Sequence, residues 1–412
     1  MNKYILVLIL LSNLTFTFSC SERQKDNQAT EESPNNFLQD KKFLEKFDPN
    51  LVELSTEDKQ ANILVSPKYQ GKVFTSTAAG ENGESFGWIN YEAFEGPLDK
   101  HMNAYGGESR LWLGPEGNKF SLYFEPGKNM EFENWHTPAA IDHEPWEKVK
   151  AGPREIAMAK STSITNYQGT EFKLQLQRTV ALLEKEEILK NTALTADVST
   201  IKMVGYTTIN SIQNTGDFPW TQETGAPCLW VLDMFKPSAE TTIILPLKPN
   251  KTKEGLTTNY FGEIPEERIA TTNNYLFLKA DGQSRGKVGV SPERGVPMAA
   301  SYDPINKVLT ITTFNISPEI PYLNQEWNTD ADPFKGDAVN AYNDGPLEDG
   351  SQMGPFYELE SVSPGAFLSP GQSMEHFHNV YHFTGSENAL DEITRQLLGI
   401  SIVEINEVFG ND

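Results

Sequence analysis

Cysteine is nearly absent from this chain. Its 412 residues include two, Cys20 and Cys228, too few for a disulfide framework. Stability must then come from a buried core, and a chain this long is ample for one. Positive charge is also scarce: 34 Lys and Arg stand against 57 Asp and Glu, a formal net charge of −23. So acidic a chain is a poor match for a nucleic-acid backbone or an anionic lipid surface, and no nucleic-acid partner is expected. Nucleotide, flavin and nucleic-acid motifs are missing, as are internal repeats. No rhythm of strand, helix, strand appears either, which argues against a parallel α/β sheet.

Apolar content is 38%, aromatic content 11%, and the longest apolar stretch stands at the N-terminus. There "MNKYILVLILLSNLTFTFSC" sets one Lys before an apolar run, then Ser19 and Cys20. The run is short for a membrane-spanning helix and reads as a secretory signal. With the Cys after it, the segment resembles a lipoprotein signal, although Thr17 departs from the usual aliphatic residue; an ordinary export signal with a spare Cys is the alternative. The resemblance implies lipidation at Cys20 and a membrane-anchored protein, periplasmic or on the cell surface. Residues 1–19 are then signal peptide, 20–45 the lipidated Cys and a polar tether, and 46–412 one domain, expected to be monomeric. Cys228, in "GAPCLWVLDMF", sits among apolar residues and reads as a buried core thiol.

The body is rich in strand signals. "ANILVS", "GKVFTST", "SRLWLG", "EFKLQLQRTVALL", "TTIILPL" and "KVLTITTFNI" are separated by Gly, Pro, Asn and Asp. Many long antiparallel strands in so large a chain predict an all-β fold, a large sandwich. A short helix is predicted near "DKKFLEKF". The clearest helix is "SENALDEITRQLLG", with Ser386 as N-cap and Gly399 as C-cap. A strand over "ISIVEI" is expected to close the fold.

Half of the six histidines lie in "SMEHFHNVYHF". Side chains alternate along a strand, so His376, His378 and His382 share a face opposite Phe377, Tyr381 and Phe383. In "FYELES", Glu358 and Glu360 share a face in the same way. With the aromatics in the core, histidines and glutamates fall on one outer face, where Glu360 would meet His376 or His378. Glu108, Arg110 and Trp112 alternate onto one face of "YGGESRLWLG", a set suited to a sugar: charged groups bind hydroxyls and an indole covers the ring. An ordinary surface ion pair beside an aromatic explains the spacing equally well. Arg285 and Lys287 add positive charge, and Asp344 follows Tyr342 and Asn343 in a turn-like "YNDG". His136 and His143 lie in a Trp-rich loop, "ENWHTPAAIDHEPW".

Taken in order, "GGESRLWLGPEG", "INSIQNTGDFPWTQETGAPCLWVLDMF", "ADGQSRGKVGVSPERG" and "FYELESVSP…LSPGQSMEHFH" resemble a family of exported lipoproteins. That family has the galactose mutarotase-like β-supersandwich and no established activity. The wider relatives, aldose mutarotases, interconvert sugar anomers with a Glu base and a His acid on a concave face. The resemblance implies a carbohydrate partner, Glu360 at the base position and Arg110 among substrate-binding groups; spacing and charge add Glu108, Trp112, Arg285, Lys287, Asp344 and Glu358 as candidates around them. The acid is missing: "ETGAPCLWVLDMF" holds no His, and Trp230 or Asp233 stands in its neighbourhood. His376 or His378 would have to replace it. No cofactor is implied, although a divalent metal at His376 and His378 is a second way to read the pair. A glycan-binding protein without catalysis remains the alternative to an enzyme.

Overall fold

The computed structural model describes residues 36–250, 252–347 and 349–410. The signal-like segment and Cys20 lie outside the described residues. Every strand pairing within the sheets is antiparallel, as the short alternating segments predict.

Ten strands form the larger sheet. In spatial order they are Ile269–Thr271, Tyr275–Lys279, Thr242–Pro246, Met298–Asp303, Val308–Phe314, Ser373–Thr384, Lys202–Asn214, Glu171–Leu182, Glu155–Thr165 and Glu147–Ala151. Six form the second: Leu256–Thr257, Gly286–Val290, Val339–Asn343, Tyr357–Val362, Cys228–Phe235 and Arg110–Gly114. A three-stranded sheet, Val52–Ser55, Asn62–Ser66 and Lys72–Thr77, stands beside them. The main core joins Leu176, Val180, Val204 and Ile212 of the larger sheet to Leu111, Val231, Val288 and Leu359 of the second, so the two pack face to face. Cys228 is fully buried there, and burial pushes its thiol up to about 12.

The outer face of the larger sheet is capped near the C-terminus. Leu390 and Ile393 of the helix Glu387–Leu397 pack with Ile311, Tyr381 and Phe383. Ser386 caps that helix through the Ala389 N–H, and Gly399 follows its end at φ 76°. The predicted strand "ISIVEI" is instead the helix Ile402–Glu407. Ser401 and Glu404 close a capping box, and Ile402 and Ile405 face the same apolar cluster. Alternation and a one-turn helix are hard to tell apart over six residues. The first helix also differs from expectation: it starts at Phe37, capped by Asn36, and buries Phe37 and Leu44, so the packed body begins before residue 46.

The face assigned to the histidines requires correction. His376, His378 and His382 are buried between the two large sheets. Tyr381 and Phe383 do face apolar neighbours, but on the opposite side, under the C-terminal helices, while Phe377 is 42% exposed. Both faces of this strand are covered for much of its length, so alternation alone does not say which one is inside.

Candidate functional site

The six-stranded sheet turns its second face to a cleft of about 340 Å³. Cross-strand register builds its floor in rows. Trp112, Trp230 and Val362 form one, and Arg110, Leu232, Glu360 and Asn340 the next. Met234, Glu358, Tyr342 and Lys287 form a third. Side chains two apart on each strand point the same way, so five strands deliver alternate residues to one surface.

Two buried ion pairs tie the rows together. Arg110 donates to Glu358, and Lys287 Nζ lies 2.9 Å from Glu360 Oε2. Trp230 Nε1 also donates to Glu360, at 2.8 Å. The cations are held against rings: Arg110 lies 5.0 Å from the Trp112 centroid and Lys287 4.6 Å from that of Trp230. Glu358 lines the cleft. Burial pushes its carboxyl up to about 7 against the pull of Arg110, and the nearby Glu360 charge adds to the rise. Glu360 is fully buried beneath, with Oε1 unpaired.

Loops raise the walls. Trp135 and Trp327 stack at 6.1 Å, and Trp327 Nε1 donates to Glu116 Oε1 at 3.0 Å. Burial raises the Glu116 carboxyl as well. Four of the seven tryptophans thus line one cleft: Trp112, Trp135, Trp230 and Trp327. Asp337, buried and hydrogen-bonded to Tyr260 at 2.6 Å, is raised to about 6 by burial.

Of the residues expected at the site, Arg110, Trp112, Arg285, Lys287 and Glu358 come together in the cleft, with Glu360 under its floor. Asp344 sits behind Tyr342, accepting its hydroxyl at 2.9 Å and the Gly354 N–H at 3.2 Å. Glu108 lies between the sheets, bound to Ser76 at 2.7 Å and His382 Nε2 at 3.0 Å.

His376 and His378 do not meet Glu360. They converge on Ser361 Oγ, each at 2.8 Å, on the other side of the Glu360 strand. His378 Nε2 lies 2.6 Å from Asp233 Oδ2. Asp233 Oδ2 faces His378 Nε2, and the Ser361 hydroxyl bridges His378 Nδ1 and His376 Nε2. His376 Nδ1 has no partner. Burial, and then the neighbouring His378, depress its pKa to about 3, so the ring is neutral. Among the described residues no group of three or more His, Cys, Asp or Glu is placed to hold a metal ion.

Sequence reasoning passed over Glu116, Trp327, Phe261 and His101, all cleft-lining. Each is on a loop, where no periodicity marks direction. His136 stacks on His101 at 5.0 Å, and His143 Nδ1 lies 3.1 Å from Asp142. Their loop contributes Phe132 and Trp135 to the cleft.

Three solved structures show how the chain compares. Slr1438 from Synechocystis sp. PCC 6803 is 14% identical, aligns over 81% of this chain and 96% of its own, and gives a TM-score of 0.52. A candidate aldose 1-epimerase from Escherichia coli K12, 14% identical, covers 81% and 98% with a TM-score of 0.49. A galactose mutarotase-like protein from Lactobacillus casei ATCC 334, 10% identical, covers 81% and 100% with a TM-score of 0.45. At such identities the likeness is one of fold. No curated protein sequence matches. Residues 35–409 match the model of a family of unknown function, DUF6786, and the chain belongs to that family.

Proposed function

We propose that the cleft on the six-stranded sheet binds a carbohydrate and that Glu358 is the carboxyl that exchanges a proton with it. One observation carries this reading: four indoles surround a floor in which buried carboxylates are paired with Arg110 and Lys287. Indoles cover the C–H faces of a sugar ring, while fixed charged groups select hydroxyls by direction. A carboxyl near 7 is matched to proton transfer at neutral pH. Such a group suits the opening or epimerisation of a sugar, or proton abstraction beside a carbonyl. The signal-like N-terminus and Cys20 support a lipid-anchored protein that faces the periplasm or the exterior. If so, Cys20→Ser releases it from the membrane fraction; retention there would argue against the anchor.

A non-catalytic glycan-binding protein is the second reading. It is favoured by the commitment of Glu358 to Arg110 and by the distance of the buried histidines from Glu360. A saccharide panel offered to wild type and to Glu358→Gln separates the two. Turnover lost with binding kept supports the enzyme; binding without turnover in either protein supports the binder. No saccharide binding by either protein would end both.

A further inference from the structure

The mouth of the cleft is apolar where the surface of an acidic protein ought to be polar. Phe132, Phe261, Trp327 and Met353 are 57%, 47%, 36% and 40% exposed, and all four line it. Exposed apolar groups gathered at one opening mark a contact surface. A single ring on the floor leaves these outer groups uncovered.

The charges point further. The cleft's carboxylates are each answered by this chain: Glu358 by Arg110, Glu116 by the Trp327 indole, and Asp99 by the backbone N–H groups of His101 and Met102. Arg285 is different. Its guanidinium stacks 3.8 Å from the Phe261 centroid, and the acid nearest in sequence, Asp281, is bound to Arg268 instead. Contact through the face of a guanidinium leaves its in-plane N–H donors available, and such donors can receive a carboxylate through two parallel hydrogen bonds.

We propose that the cleft takes an acidic oligosaccharide. One ring sits on the floor, and a neighbouring uronate at the rim sets its carboxylate on Arg285 and rests on the exposed apolar side chains. The proposal rests on the reading of the cleft as a sugar site and adds the length and charge of the ligand.

Calorimetric titration tests it, with tetragalacturonate and tetramannuronate set against cellotetraose, free galacturonate and a sulfated tetrasaccharide, at low and high salt. An oligouronate is expected to bind roughly tenfold or more tighter than the neutral tetramer and the monomer, the effect of one charge-assisted contact. The advantage shrinks as salt rises and vanishes in Arg285→Gln, whose fold is checked by circular dichroism. Equal binding of neutral and acidic tetramers, or an advantage that survives Arg285→Gln, overturns the proposal and leaves the sugar site standing. Preference for the sulfated tetramer overturns the carboxylate assignment. No response to any saccharide removes the sugar site itself, and this proposal with it.

Discussion

Glu360 and Ser361 are consecutive residues that serve opposite sides of one strand. The Glu360 carboxylate meets Lys287 at 2.9 Å under the cleft, and the Ser361 hydroxyl meets His376 and His378 at 2.8 Å between the sheets. The Asp233–His378–Ser361–His376 chain therefore ties the two sheets together, apart from the cleft-side carboxyls to which the proposed proton exchange is assigned.

This division makes His376 a stability group. Its folded pKa, about 3, lies below the ordinary 6.5. Between those values the unfolded chain binds the proton and the folded one does not, so stability falls as pH drops through the window. The slope is about 1.4 kcal/mol per pH unit from this group. Urea unfolding at pH 7 and pH 5 should show that loss in wild type and less of it in His376→Gln. Equal losses in the two proteins would contradict the assignment.

Glu358 is shifted in the other sense, from 4.5 to about 7. The folded state holds its proton longer, so its contribution to stability is present below 4.5 and is lost as pH rises through 7. Saccharide binding or turnover should therefore change with a midpoint near pH 7, and Glu358→Gln should flatten that transition. A midpoint unmoved by the substitution would assign the titration elsewhere.

Arg110→Ala leaves Glu358 buried without its cation. Burial then holds the Glu358 proton to still higher pH, and a loss of about 2 kcal/mol in unfolding free energy is expected for the missing charge-assisted hydrogen bond. The double variant with Glu358→Gln should lose less than the sum of the single changes, because both remove the same contact. Strict additivity in denaturant unfolding would show that the pair is not coupled.

Gly117 lets two cleft loops touch. A Cβ there would lie 1.9 Å from the Glu326 carbonyl oxygen, and Asn118 N–H donates to that same oxygen at 2.8 Å. Gly117→Ala should push apart the loops that carry Glu116 and Trp327. Weaker saccharide binding is expected, with the fold retained by circular dichroism; unchanged affinity would show that the wall does not depend on this contact.

The sandwich was legible because strand alternation and turn residues repeat along the whole chain. The cleft residues Arg110, Trp112, Lys287 and Glu358 were legible too, since parity within a strand fixes which side chains travel together. Two things were not. Parity never says which face is inside when both are covered: it allows His376 and His378 beside Glu360, whereas Ser361 holds them on the other side. Spacing is also silent on loops: Glu116 and Trp327 are 211 positions apart and meet only because their loops close over the same floor.

Tryptophan fluorescence reads the central claim most directly, since four of the seven indoles line the cleft. Titration with an oligosaccharide panel should give a saturable change for at least one sugar, and Trp327→Ala and Glu358→Gln should alter the amplitude or the affinity. No saturable change with any sugar, or a response that both variants leave untouched, would contradict a carbohydrate site in this cleft.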